Sequence, residues 1–117
     1  MPITVLIVDD HPGFRTTARA LLEAEGYEVV GEAENGVAAL RAAGELHPDV
    51  ILLDVQLPDF DGFEVASRLS RNGNGPTIVM ISSRDASDFG PLVAESGAAG
   101  FIPKGELSGA ALATLLP

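Results

Sequence analysis

The chain has no cysteine. That excludes disulfides, zinc–thiolate centres and thiol catalysis together, and it suits a reducing cytoplasm, where the protein is expected to work. Positive charge is scarce too: Lys and Arg number 7 against 17 Asp and Glu, a formal net charge of −10. Such a balance repels a phosphate backbone, so direct DNA or RNA binding by this chain is not expected. No apolar run approaches the ~20 residues that cross a bilayer, and Met1-Pro2-Ile3-Thr4 lacks the basic start of a signal peptide. Neither a membrane span nor export is expected. Aromatic residues make up only 5% of the chain, yet 46% of it is hydrophobic and the mean hydropathy is +0.25. This is the composition of one compact domain, expected to occupy residues 1–117.

What is present is a series of short apolar runs, each ending on polar residues. Ile3-Thr4-Val5-Leu6-Ile7-Val8 ends at Asp9-Asp10, and Val50-Ile51-Leu52-Leu53 ends at Asp54. Both read as strands buried on two faces. Thr77-Ile78-Val79-Met80-Ile81 ends at Ser82-Ser83, Gly100-Phe101-Ile102 ends at Pro103-Lys104, and Tyr27-Glu28-Val29-Val30 is a fifth strand with the marks of a sheet edge. Between them the period becomes helical: Phe14, Ala18, Leu21 and Leu22 after Pro12; Val37, Leu40 and Ala43; Phe63, Ala66 and Leu69; Leu107, Ala111 and Leu115. Gly90-Pro91 interrupts the stretch from Ser87 to Ser96, so the fourth helix should be short or start late, and Gly109 makes the fifth marginal.

Strict alternation of strands and helices implies an α/β, doubly wound parallel sheet with five strands and five helices, covered on both faces. Ligands of such sheets bind outside the carboxyl ends of the strands. Here those ends carry Asp9, Asp10, Asp54, Ser82, Ser83 and Lys104, the chain's one lysine. Carboxylates gathered there repel one another, by ~4 kcal/mol for a pair 4 Å apart at an effective dielectric near 20. A cation among them is required, and Mg²⁺ suits a few hard oxygen ligands. A DxDxDG calcium loop is not present.

VDD at 8–10, DVQLPDFDG at 54–62, MISS at 80–83 and GFIPK at 100–104 together resemble the receiver domain of two-component response regulators. VDDHPGFR and GFIPK are further similar to the NarL/LuxR subfamily. The resemblance covers nearly the whole chain and implies the flavodoxin-like receiver fold with strand order 2-1-3-4-5. It implies that Asp54 accepts a phosphoryl group from a sensor histidine kinase or a small phosphodonor such as acetyl phosphate. Asp10 would ligate Mg²⁺ directly, Asp54 would share it, Gln56 would add its main-chain oxygen and Asp9 would act through a water. Ser82 and Lys104 would bond phosphoryl oxygens, and Ser82 with Phe101 would form the switch. The chain would catalyse only its own phosphorylation and dephosphorylation, and so is not expected to be an enzyme in the ordinary sense. The subfamily further implies a C-terminal DNA-binding output domain outside this chain, and homodimerisation on phosphorylation.

The other readings of these residues are plainer. Asp10 is also a candidate cap for the helix after Pro12, His11 suits that helix start better than a phosphohistidine, and His47 reads as a loop residue. Phe101 could be core filler. Asp59 reads as a turn residue and Asp61 as the cap of the third helix. Three positions depart from the family pattern: Pro103 precedes Lys104 while Gly105 follows it, Gly90-Pro91 breaks the fourth helix, and the sequence stops at Leu115-Leu116-Pro117. A stand-alone receiver and one excised from a longer regulator fit that ending equally. Two alternatives belong to other classes. An unphosphorylated binding module would keep the fold alone; a haloacid-dehalogenase-like phosphatase would need Asp where Gln56 stands. A flavin site would need a Ser/Thr/Gly-rich loop in place of Asp9-Asp10-His11-Pro12.

Overall fold

The computed structural model describes residues 2–70 and 75–117; Met1, the first residue of the stretch read for a signal peptide, lies outside them. Five strands, β1 (Thr4–Val8), β2 (Glu28–Ala33), β3 (Val50–Asp54), β4 (Thr77–Ser82) and β5 (Gly100–Pro103), pair in parallel in the order β2-β1-β3-β4-β5. Helices α1 (Pro12–Ala24), α2 (Gly36–Leu46), α3 (Gly62–Ser70), α4 (Leu92–Glu95) and α5 (Gly109–Ala113) connect or follow them. This is the five-stranded, five-helix parallel sheet expected from the alternation, in the flavodoxin-like strand order that the receiver resemblance implies.

Side chains alternate across the sheet, and that alternation divides the core in two. Val5, Ile7, Val50, Leu52, Val79 and Ile81 point to one face and pack under Ala18 and Leu22 of α1 and Leu112 of α5. Leu6, Val8, Ile51, Leu53, Ile78 and Met80 point to the other, under Ala39 and Ala43 of α2 and Val65 and Ala66 of α3. Every residue of β3 is buried, because it lies between β1 and β4 with helices above and below.

Local signals explain most of the helix ends. Pro12 stands in the first turn of α1 and Gly26, at φ 96°, turns the chain into β2. Asn35 caps α2 by accepting from Ala38 N at 2.8 Å, and Ser108 caps α5 by accepting from Ala111 N at 3.0 Å. The interruption at Gly90-Pro91 has the expected effect: a 3₁₀ turn at Ala86–Asp88 precedes an α4 of 4 residues, and Gly90 takes φ 56° between them. The fifth helix is short as well, with 5 residues.

Two expectations need correction. Strand β2 does not span Tyr27–Val30 but runs Glu28–Ala33, its register with β1 shifting between Val5 and Leu6. Gly31, within the longer strand, is a point of close helix approach, where a β-carbon would come within 2.7 Å of Leu46 Cδ1 of α2. Val37, read as part of the buried stripe of α2, is 50% exposed, and Gly36, Ala39 and Ala43 face the core instead.

Candidate functional site

Parallel pairing brings the carboxyl ends of all five strands to one edge. Asp9 and Asp10 follow β1, Asp54 ends β3, Ser82 ends β4 and Lys104 follows β5. They meet around a cavity of about 280 Å³ lined by Asp10, Asp54, Gln56, Ser82 and Lys104 among others. Residues separated by up to 50 positions in sequence come into hydrogen-bond contact there.

The Lys104 ammonium is the centre of this group. Its Nζ lies 2.5 Å from Asp9 Oδ2 and 3.1 Å from Asp54 Oδ2, and 4.7 Å from the centre of the Phe14 ring. Asp9 is fully buried. Its Oδ1 accepts from His11 N at 2.8 Å and lies 2.9 Å from His11 Nδ1, and its main-chain oxygen accepts from Arg15 Nη1 at 2.6 Å. Asp54 Oδ1 accepts from Gln56 N at 3.0 Å.

These contacts move the three groups in different directions. Burial pushes the Asp54 carboxyl above its usual range; the Gln56 N–H and Lys104 oppose this, and the neighbouring Asp9 charge adds to it. Burial also works to raise Asp9, but bonds from Lys104 and from the His11 backbone and ring outweigh it and hold that carboxyl low. For Lys104, burial disfavours the charge, yet bonds to Asp9 and Asp54 hold its pKa above the ordinary lysine value. The arrangement is two buried carboxyl groups sharing one ammonium, with Asp10 beside them.

The donor set fits a small, hard dication. Ligand atoms of Asp9, Asp10, His11 and Asp54 all lie within 4.8 Å of one another. Asp9 Oδ2 is buried and accepts no hydrogen bond of good geometry, for all its closeness to the ammonium. Oxygen ligands of this number and charge are those Mg²⁺ prefers. Asp9, Asp10 and Asp54 are the carboxylates that could hold it, and Gln56 lines the same cavity.

Ser82 is buried and its Oγ accepts from Arg84 N at 3.1 Å, while Ser83 next to it is exposed. Phe101 is half-buried and sits in an aromatic row, its ring 5.7 Å from that of Phe89, which lies 5.6 Å from Phe63. Phe89 was not singled out from the sequence. An aromatic just before Gly90-Pro91 was the available signal. Asp10 does not cap α1: His11 occupies the N-cap with no side-chain bond to the helix, and Pro12 leaves fewer free amides to cap. Asp61 does cap α3, accepting from Phe63 N at 2.7 Å.

Asp59 does more than turn the chain. Its Oδ1 accepts from Gly36 N at 2.7 Å and Phe60 N at 2.9 Å, and its Oδ2 from Val37 N at 3.0 Å. No local pattern signals a contact made across 23 positions of sequence.

The model of the response regulator receiver domain matches residues 5–115. Among curated proteins, the chain is 42% identical over 102 residues to BvgA, a positive transcription regulator of virulence factors in Bordetella pertussis, and 39% identical over 104 residues to the response regulator GacA of Pseudomonas aeruginosa. These alignments cover 87% and 88% of the chain but 49% of either relative, so the chain spans about half their length. Among solved structures, the signal receiver domain of the response regulator NarL from Mycobacterium tuberculosis superposes with a TM-score of 0.85 at 35% identity, covering 97% of this chain and 96% of that one. A LuxR-family two-component response regulator from Aurantimonas superposes with a TM-score of 0.87 at 31% identity, covering 98% and 86%.

Proposed function

The chain belongs to the response regulator receiver family, and from that premise we propose that residues 1–117 form a phosphoryl switch whose acceptor is Asp54. One observation carries the reading: Asp54, buried at the end of the central strand, shares the single ammonium of Lys104 with Asp9. A carboxylate held at the floor of an acidic cavity with one fixed cation beside it is equipped to receive a phosphoryl group and to bond it afterwards.

In the transfer step an oxygen of Asp54 bonds to phosphorus as the P–N bond of a sensor kinase phosphohistidine, or the P–O bond of acetyl phosphate, breaks. The bonding pair leaves on the imidazole nitrogen or on acetate. Mg²⁺ held by Asp10, Asp54 and the Gln56 main-chain oxygen, with Asp9 acting through a water, would supply charge neutralisation for the incoming oxygens. Lys104 exchanges its bond to Asp54 Oδ2 for one to a phosphoryl oxygen. Ser82 gives up its bond from Arg84 N and donates its hydroxyl to another, and Phe101 turns toward the space so vacated. The chain turns over no separate substrate; it catalyses its own phosphorylation and dephosphorylation.

The output lies beyond these residues. BvgA, named as a transcription regulator, is about twice as long as the matched region, which supports a DNA-binding output domain outside these residues; a homodimer is the phosphorylated form we propose. The partner upstream is a sensor histidine kinase, and the compartment is the cytoplasm.

Incubation with acetyl phosphate and Mg²⁺, followed by intact-mass measurement, is expected to add one phosphoryl group to the wild type and none to Asp54→Asn. Equal labelling of both proteins would show the acceptor to be elsewhere. Mg²⁺-independent absence of label in the wild type would favour a binding module that keeps only the fold.

A further inference from the structure

The loop from Val55 to Asp61 carries the Gln56 carbonyl, and its two ends are closed on each other. Gly62 N donates to Val55 O at 2.8 Å, Gln56 stands opposite Asp61 as an antiparallel bridge, and Gln56 N is taken by Asp54 Oδ1 at 3.0 Å. Gly62 is pressed so closely to the strand that a β-carbon would collide with the Asp54 main-chain oxygen. The tip of the loop, Leu57-Pro58-Asp59-Phe60, rests Leu57 and Phe60 on the core and takes its polar support from farther along the chain.

That support is α2. The first-turn amides of this helix are shared between two acceptors: Asn35 takes Ala38 N, and Asp59 takes Gly36 N and Val37 N with its two oxygens. Asp59 Oδ1 accepts from Phe60 N as well, so one carboxylate binds the loop tip and the helix start together. The neighbouring side chain closes the joint, since a β-carbon at Gly36 would meet Phe60 Cδ2 at 2.5 Å, and the Arg68 guanidinium lies 4.9 Å over the Phe60 ring. Although burial works against the charge, the amides hold the Asp59 carboxyl below its usual range, so it binds them as an anion at neutral pH.

Resting on the receiver reading, we infer that Asp59 is a positioning residue for the metal-binding carbonyl of Gln56, clamping the β3–α3 loop to the amino end of α2. The bridge at Gln56 and Asp61 holds one side of the peptide that bears this carbonyl, and the other side leads into the tip. With the tip held, the oxygen is placed before the cation arrives, and binding need not order the loop. The clamp also makes α2 part of the site's framework, although no residue of α2 reaches the cavity.

The experiment compares Asp59→Ala, Asp59→Asn and Asn35→Ala with the wild type. Asn35→Ala is the structural control, because it removes the other cap of the same helix and leaves the loop tip tied. Mg²⁺ affinity is read by calorimetry, melting temperature by circular dichroism, and labelling by acetyl phosphate across a Mg²⁺ series. Asp59→Ala is expected to weaken Mg²⁺ binding about tenfold, the lower range for loss of a group that orients a ligand. Its labelling rate should recover at saturating Mg²⁺, the pattern of lost ground-state binding. Asp59→Asn, which keeps one acceptor oxygen, should fall between. Asn35→Ala should lower the melting temperature and leave the Mg²⁺ affinity alone. Unchanged affinity in Asp59→Ala, or equal weakening in Asp59→Ala and Asn35→Ala, would reduce Asp59 to a helix cap and overturn the inference while leaving the receiver reading intact. A wild type that neither binds Mg²⁺ nor labels at Asp54 would overturn both.

Discussion

Lys104 and Asp54, 50 positions apart in sequence, are joined by a 3.1 Å bond from Nζ to Oδ2 at the carboxyl edge of the sheet. The same ammonium touches Asp9, so both buried carboxylates lean on one cation.

Replacing that cation with an apolar side chain of similar length should therefore expose their repulsion. Lys104→Met is expected to lose about 3 kcal/mol of stability in metal-free buffer near neutral pH, the cost of removing one partner from a buried charge pair. Added Mg²⁺ should restore a large part of the loss, because it binds the folded state and supplies the missing charge. Urea unfolding with and without Mg²⁺ tests both statements. A variant as stable as the wild type without metal would mean that the carboxylates are not both ionised.

Asp54 should make the metal-free protein less stable as pH rises. Its folded pKa stands above the unfolded value of 3.8, chiefly through burial, so the native state binds the proton more tightly. The stability it contributes is complete below about that unfolded value and is lost as pH climbs through the raised folded one. Asp9, held low, runs the other way: its contribution is present above 3.8 and is lost as pH falls through its folded value. Asp54→Asn removes the first effect and keeps the second. In metal-free buffer its stability relative to the wild type should therefore rise as pH climbs from the unfolded value of 3.8 through the raised folded one. A difference that stays flat across this range would show that Asp54 ionises as freely in the fold as out of it.

Phe89 lies between Phe63 and Phe101 and anchors a segment with little regular structure of its own. Phe89→Ala should cost about 2 kcal/mol, less than a fully buried phenylalanine because the ring is half-exposed. Amides from Arg84 to Leu92 should exchange faster in this variant while those of β1 and β3 keep their rates. Uniform acceleration would mean that the ring supports the whole core and not the one segment.

The strands were legible in the sequence because burial on two faces leaves continuous apolar runs, and each run stops at the polar residue that meets solvent at the sheet edge. Asp9, Asp54, Ser82 and Lys104 could be assigned to one edge on that ground, and the structure gathers them there. The weak fourth helix followed from Gly90-Pro91 through φ restriction alone. What failed was whatever depended on a neighbour far along the chain. The expected β2 stopped short of Gly31, and nothing local shows that Leu46 will pack against that glycine. Val37 has the right spacing for a buried position, yet the stripe of α2 that packs runs through Gly36, Ala39 and Ala43 and leaves it outside. Asp59 looked like one turn residue among many, since its partners Gly36 and Val37 belong to another element.

Strand order assigns the parts of this site unequal mechanical freedom. Asp54 rides on β3, which has a strand bonded along each side, whereas Phe101 and the residue leading to Lys104 ride on β5, bonded along one side only. Displacing β3 would shear two ladders; displacing β5 strains one. The proposed acceptor is thus braced by a neighbour on either side, while Phe101 and Lys104 stand at a margin braced on one.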